Sequence, residues 1–189
     1  MRRGWSRDLR TVAPESVIAV ALGIVDDGFW ARVTAYELIL HHRGAPAVLT
    51  HANVVRLGRG LSDWASVDTY ASYIAGPAWR EGVLPTRQVH QWLKSGDRWL
   101  RRAGVVCTVA LNVRARGGRG DAPRTLAVCA KVVDDRDDMV VKALSWALRS
   151  LVEWDRVAVE SFLVTHHDAL APRVNREVKL KLRTGRKNG

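Results

Sequence analysis

Trp64 and Asp68 are the first pair of residues whose types and spacing could do chemistry. They lie four positions apart, so they share one face of a helix for which Ser62 and Asp63 are good N-caps. An indole beside a carboxylate offers an aromatic surface to an electron-poor ring and partly shields the acid from water. The structural alternative is a half-buried tryptophan beside an aspartate that caps a helix or faces solvent.

A second group combines one tryptophan with two cations. Lys142, Trp146 and Arg149 follow one another at four- and three-residue steps, so their side chains can form one strip along a helix. A core helix does not require two cations flanking a tryptophan, whereas a surface that receives an anionic, stacking ligand does. Asp137 and Asp138 precede the strip, where carboxylates complement the positive end of a helix dipole.

Arg101 and Arg102 form the third candidate group, directly after Trp99 and Leu100. One of the two arginines must face away from the apolar side of this helix, and the alternative is a solvated arginine. If the three groups line one groove, it holds two aromatics, several cations and one carboxylate. Such a groove suits a phosphate-backbone ligand with a cationic centre near the acid.

Helical periodicity predicts the elements that would position these side chains. Strand-like alternation is essentially absent, so the predicted class is all-α. Trp64 and Arg102 are 38 positions apart and Arg102 and Trp146 are 44 apart, close to the period of about 40–47 residues of HEAT or armadillo units. We therefore predict an α-solenoid of HEAT-like helical pairs with a concave basic face, and a helix bundle is the alternative.

The predicted domain organisation is simple. Residues 1–12 form a basic N-terminal segment that we expect to be mobile, residues 13–183 a single HEAT-like helical domain, and residues 184–189 a basic tail. The glycine-rich run at 116–121 (RGGRGD) is expected to be a flexible basic loop, and Gly76-Pro77 to end a helix. Helices are predicted at residues 14–25, 29–42, 46–57, 64–74, 86–93, 98–113, 122–133, 138–152, 155–166 and 170–182.

The charge balance indicates a polyanionic partner. The 189 residues carry a formal net charge of +11, with 30 Lys and Arg against 19 Asp and Glu. Such an excess favours nucleic acid or an acidic membrane, and the alternative is a merely soluble, arginine-rich surface. The apolar run at 17–25 is too short to span a bilayer, so no membrane partner is predicted.

Cysteine and histidine placement indicates a reducing compartment and no metal. Cys107 and Cys129 lie within apolar helical patterns, which favours small core residues over a disulfide. The six histidines do not cluster with carboxylates at metal-binding spacings. We therefore expect a cytosolic protein without a metal site.

Four segments together resemble the DNA alkylation repair family of HEAT-like DNA glycosylases, the AlkD-like proteins. They are residues 62–68 (SDWASVD), 98–103 (RWLRRA), 141–149 (VKALSWALR) and 172–178 (PRVNREV). The resemblance covers about residues 29–182. It implies an enzyme that excises cationic N3- and N7-alkylated purines from duplex DNA without drawing the base into a pocket.

The resemblance also implies roles for individual residues. Asp68 would be the catalytic carboxylate, stabilising the oxocarbenium-like sugar and positioning or activating water. Trp64 and Trp146 would pack against the deoxyribose and flank the lesion. Arg102 and Arg149 would hold phosphates near it. An alkylated purine is already a cationic leaving group, so no general acid, metal or cofactor is implied.

Further cations are expected to contact the DNA backbone. They are Lys142 beside Trp146 and, on the closing helix, Arg173, Arg176 and Lys179, for which a solvated helix face is the alternative. The expected protein is a monomer that acts on alkylated duplex DNA in the bacterial cytosol or nucleoid. The competing functions are a non-catalytic HEAT-like module that binds damaged or branched DNA and a protein-interaction scaffold.

Overall fold

The computed structural model describes residues 9–186. These residues form helices joined by turns and short loops, and they contain no strand. The all-α prediction is therefore confirmed. Most of the predicted basic N-terminal segment and half of the predicted tail, residues 1–8 and 187–189, lie outside the described residues. The helices are α1 (Pro14–Ile24), α2 (Phe29–His41), α3 (His51–Leu57), α4 (Trp64–Tyr70), α5 (Gly76–Arg80), α6 (Thr86–Leu93), α7 (Arg98–Val106), α8 (Val109–Asn112), α9 (Ala122–Ala130), α10 (Asp138–Leu151), α11 (Arg156–Thr165) and α12 (Pro172–Thr184).

Five helices contact one another in chain order. Helix α2 contacts α4, α4 contacts α7, α7 contacts α10, and α10 contacts α12. Helices α1, α6 and α9 pack against α2, α7 and α10, respectively. One hydrophobic core extends from Val17 to Leu182. This order of packing brings together α4, α7 and α10, the three helices that carry Asp68, Arg102 and Trp146.

Aspartate caps begin those three helices. Asp63, Asp97 and Asp137 accept hydrogen bonds of 2.9 Å from the backbone nitrogens of Ser66, Trp99 and Met139. Each cap satisfies a donor that the first helical turn leaves unpaired, and loss of such a cap costs about 1 kcal/mol. The caps therefore fix the start of each helix that supplies a candidate residue.

Gly76 and Pro77 do not end a helix, and the predicted stop after residue 74 is wrong. Helix α4 continues through a π-helical turn, Ala71–Ala75, directly into α5. Pro77 lies in the first turn of α5, where its missing N–H costs little. Gly76 is required by close packing, because a Cβ atom there would lie 2.6 Å from the Cβ of Ala110.

Two other predicted helices are interrupted. The helix predicted from residue 46 starts at His51, because Thr50 and Asn53 form a reciprocal capping box there. The helix predicted over 98–113 breaks after Val106 and resumes as α8. At this break the Thr108 hydroxyl donates to the Val105 carbonyl, a bond that competes with continuous helix.

The glycine-rich run is folded against the helices instead of extending as a free loop. The amides of Arg119 and Gly120 both donate to the Leu111 carbonyl. The Arg80 guanidinium donates to the Arg116 carbonyl at 2.8 Å. A Cβ atom at Gly118 would lie 2.7 Å from the Asn112 nitrogen, so glycine permits this close return.

Within residues 9–186, no helix is both long and apolar enough to cross a membrane.

Candidate functional site

A cavity of about 420 Å³ lies where α4, α7 and α10 meet. The structure brings all three groups of candidate residues to it, and Met139 is the one lining residue that the sequence did not single out. The lining consists of Trp64, Asp68, Arg102, Met139, Lys142, Trp146 and Arg149. These residues lie on three different helices, so tertiary packing brings them together from positions 64 to 149.

Asp68 and Arg102 form a bidentate ion pair at the cavity. Nε of Arg102 donates to Oδ1 of Asp68 at 2.8 Å, and Nη2 donates to Oδ2 at 2.7 Å. The side chains are 19% and 7% exposed, respectively, so the pair is largely desolvated. Because two parallel bonds restrict rotation about the carboxylate, this geometry fixes the plane of the Asp68 carboxylate.

The third nitrogen of Arg102 is also engaged, because Nη1 donates to the Met139 carbonyl at 2.5 Å. The sequence predicted that Arg102 would hold a phosphate. In the structure its guanidinium joins α4 to the start of α10, and the phosphate contact stays a prediction. Three of its five N–H donors are used in these bonds, so the observed contacts hold Asp68 in place.

The π-helical turn lies immediately after Asp68. The Ser72 hydroxyl, within that turn, donates to the Asp68 carbonyl. A π turn contains one more residue than the α-helical register allows, and such turns are frequent at functional sites. The extra residue of this turn therefore changes the direction in which Asp68 points relative to the side chains of the helix that follows it.

The two tryptophans differ in accessibility. Trp64 is 59% exposed at the start of α4, and the part of the chain that the structure describes places no cation over its ring. Trp146 is half-buried, and the guanidinium carbon of Arg116 lies 5.1 Å from its ring centroid. The same guanidinium carbon lies 4.8 Å from the ring centroid of Tyr73. Trp64 thus offers an open aromatic face, whereas Trp146 is partly covered by a cation.

Arg149 is held by α12. Its Nε donates to the Ser145 hydroxyl at 3.1 Å, and its Nη2 lies 3.7 Å from Oε2 of Glu177. Burial opposes ionisation of Glu177, but hydrogen bonds from Ser145 and Arg173 and the charges of Arg173 and Arg149 lower the pKa of its carboxyl. Burial lowers the pKa of Arg149, partly offset by Glu177. The sequence placed Glu177 in a family motif without assigning it this role.

Lys142 and the cations of α12 are placed differently. The Lys142 ammonium lies 2.5 Å from Asp138, which also pairs with Arg173 at 3.2 Å. Arg173, Arg176 and Lys179 are not among the residues that line the cavity. Arg176 and Lys179 are exposed, while Arg173 is half-buried. Their predicted contacts with DNA stay predictions.

A second cavity of about 320 Å³ adjoins the first, and Trp146 and Arg149 line both. The second cavity also contains Arg114 from the segment before the glycine-rich run and Lys181 from α12. The sequence did not predict this cavity. Arg114 and Arg116 lie in a short 3₁₀ turn that the sequence pattern did not distinguish from a loop.

A family model described as DNA alkylation repair enzyme matches residues 3–179, which is nearly the whole chain. The chain belongs to this family. The resemblance inferred from the four sequence segments is thereby confirmed. No curated protein and no solved structure gave a significant match.

For a DNA alkylation repair enzyme, the chemistry available in the first cavity is restricted. Asp68 is the one carboxylate that lines it, opposite the cations Lys142 and Arg149. Between residues 9 and 186, no three His, Cys, Asp or Glu side chains are grouped as metal ligands would be. A single carboxylate beside an exposed indole can stabilise a developing cation.

Proposed function

We propose that this protein is a DNA glycosylase that removes cationic N3- and N7-alkylated purines from duplex DNA without flipping the base into an enclosed pocket. The observation that carries the proposal is the position of Asp68, fixed in plane by Arg102 in a cleft beside the open face of Trp64. Membership of the DNA alkylation repair enzyme family supports DNA as the substrate.

The proposed reaction needs little acid–base chemistry. When the bond between the sugar C1′ and the alkylated purine nitrogen breaks, its electron pair neutralises the cationic base, which leaves without prior protonation. Positive charge then develops on the sugar, where Asp68 stabilises it, and water adds to C1′ and gives up its proton to Asp68 or to solvent. Trp64 packs against the deoxyribose, and Trp146 forms the opposite wall.

Arg102 keeps Asp68 in position without exhausting its acceptors. A carboxylate has about four lone-pair sites on its two oxygens, and Arg102 occupies one on each. The remaining sites can face the sugar cation and the attacking water. In this proposal Arg102 positions Asp68, and its two remaining N–H groups can contact a phosphate as expected from the family.

The order of helix contacts supports the proposed architecture. Because α2, α4, α7, α10 and α12 contact one another successively, we propose that residues 13–183 form one HEAT-like solenoid whose inner helices present a basic groove. Lys142 and Arg149 would contact the backbone near the lesion. Arg173, Arg176 and Lys179 would contact the flanking duplex. The protein would act as a monomer in the bacterial cytosol, where it meets DNA.

The test is release of free base from duplex DNA that carries 7-methylguanine. We expect the protein to release 7-methylguanine, to leave unmodified guanine in place, and to lose activity on Asp68→Asn substitution. Because an open cleft does not enclose the base, purines with bulkier N7 substituents should also be released. Release no greater than that of the Asp68→Asn variant would contradict the proposal.

One observation favours a non-catalytic module that binds damaged or branched DNA. Both oxygens of Asp68 accept from Arg102, as they would if the pair served only to join α4 to α7. That function predicts that both the unsubstituted protein and the Asp68 variant bind DNA in a salt-dependent manner and that neither releases a base. Parallel binding and release measurements on the Asp68→Asn variant therefore decide between the two functions.

A further inference from the structure

Arg114 and Arg116 project from the 3₁₀ turn that precedes the glycine-rich run, Arg114–Arg116. This turn is held by its backbone, since Arg80 donates to the Arg116 carbonyl and the Gly118 amide donates to the Val113 carbonyl. These hydrogen bonds therefore fix the backbone of the turn from which both arginine side chains extend.

Each of these arginines lies over an aromatic ring. The guanidinium carbon of Arg114 is 4.1 Å from the ring centroid of Trp154. Trp154 is itself fixed, because its Nε1 donates to the Asn112 carbonyl. The guanidinium of Arg116 lies close to the rings of Tyr73 and Trp146, at 4.8 and 5.1 Å. A planar guanidinium that stacks on a ring keeps its N–H edges available for an acceptor.

Neither guanidinium has an anionic partner in the part of the chain described. The two arginines that line the first cavity differ, because Arg102 pairs with Asp68 and Arg149 approaches Glu177. Nη1 of Arg116 is buried and donates to no acceptor within residues 9–186. Because Nη1 is buried, a phosphate reaches it only when the guanidinium moves outward, and the cost of leaving the donor without an acceptor favours that movement.

The surroundings determine the charge of that partner. Arg114 lines the second cavity together with Arg149 and Lys181, and Glu153 is the carboxylate among its lining residues. Trp146, which Arg116 covers, separates this cavity from the one that holds Asp68. Lys181 pairs with Glu153 at 3.0 Å, so Arg114 and Arg149 leave the cavity with an excess of positive charge, which favours an anionic ligand next to the proposed site of base excision.

We propose that Arg114 and Arg116 form a phosphodiester-binding ledge that holds the backbone of duplex DNA beside the cleft. The planar, stacked guanidiniums suit phosphate oxygens, which accept two parallel hydrogen bonds from arginine. The proposal rests on the proposed DNA partner but does not require base excision. It gives the glycine-rich run a function, namely to hold two arginines beside the second cavity.

The test measures how binding to an undamaged duplex depends on salt. Each phosphate contact contributes about 0.9 to the slope of log K against log salt concentration. The slope is negative, and we expect Arg114→Gln and Arg116→Gln each to make it shallower by about 0.9. The double variant should make it shallower by about 1.8. Fluorescence anisotropy of a labelled duplex between 50 and 200 mM salt gives these slopes.

The matched control is Arg119→Gln, in the same run of the chain. Arg119 is exposed and, in the described structure, has no ring or carboxylate contact. Its replacement removes the same charge and should leave the slope unchanged. If Arg119→Gln makes the slope shallower by the same amount, or if the ledge variants leave it unchanged, the proposal of a ledge is overturned. Arg114 is exposed, so Arg114→Gln keeps the test valid if Arg116→Gln unfolds.

Three further outcomes distinguish the ledge from a site for free phosphate and from the proposed glycosylase. If the unsubstituted protein binds inorganic phosphate and the ledge variants lose that binding while their duplex slopes are unchanged, the ledge binds free phosphate and the DNA assignment is overturned. If the unsubstituted protein does not bind duplex DNA, both the ledge and the proposed DNA partner are wrong. Duplex binding with the expected slopes but without base release leaves the ledge supported and refutes only the glycosylase.

Discussion

Replacing Asp68 by asparagine separates a catalytic from a structural role for the carboxylate. The substitution keeps the shape of the side chain and one acceptor for Arg102, but it removes the charge that would stabilise a sugar cation. If the carboxylate acts electrostatically, base release should fall by about 10²–10³-fold, as on loss of a preorganised stabilising group.

The same substitution also has a cost in stability. Removing one partner of a buried ion pair costs about 3–5 kcal/mol. Asp68 is 19% exposed at an open cleft, and asparagine still accepts one hydrogen bond. We therefore expect the free energy of unfolding to fall by about 2–3 kcal/mol. Urea denaturation measures this, and single-turnover release at 25 °C measures the rate while the variant remains folded.

A neighbouring ion pair provides the control. Arg101 precedes Arg102 on α7, and its Nε donates to Oδ2 of Asp135 at 2.7 Å. The side chains of Arg101 and Asp135 are 20% and 13% exposed, respectively, and neither lines the first cavity. Asp135→Asn should therefore cost similar stability and leave base release unchanged. An equal loss of release in both variants, or full release by Asp68→Asn, would refute the reasoning.

Three further predictions concern α12, helix packing and the cysteines. The pKa of Glu177 is lower in the folded protein than in the unfolded chain, so its carboxylate stabilises the fold above the unfolded pKa. The protein should therefore be more stable than Glu177→Gln at pH 7, and this difference should disappear as the pH falls below 4.5. Urea titrations at several pH values would measure it. Gly76→Ala should lower the free energy of unfolding by about 1–3 kcal/mol through overpacking, whereas Gly23→Ala, with open space around its Cβ, should raise it by about 0.5–1 kcal/mol. Burial raises the pKa of both cysteine thiols, so a thiol reagent at pH 8 should label neither Cys107 nor Cys129 until urea unfolds the protein, and labelling of the native protein would contradict this.

Local patterns were sufficient to predict the helical class and two of the three groups of candidate residues. Trp64 and Asp68, or Lys142, Trp146 and Arg149, lie within one helix, so their spacing alone places them on shared faces. The N-cap at Asp63 was also predictable, because its hydrogen bond to Ser66 spans only three residues. These features depend on neighbours in the sequence.

Contacts between distant segments could not be predicted in the same way. The ion pair between Asp68 and Arg102 joins positions 34 apart, and only the packing of α4 against α7 creates it. The role of Arg116 depends on Tyr73 and Trp146, and the pattern around it resembled a solvated loop. The continuation of the helix through Gly76 depends on its close approach to Ala110.

The π-helical turn, Ala71–Ala75, makes the cleft sensitive to chain length as well as to side-chain identity. Each residue of an α-helix advances the chain by about 100° around the axis. Loss of one residue from this turn would restore regular helix and rotate Asp68 by that angle relative to α5. The carboxylate would then turn away from Arg102, although every lining residue was still encoded. A relative with the same cleft residues but a helix one residue shorter would therefore have lost the geometry, and residue identities alone would not reveal the loss.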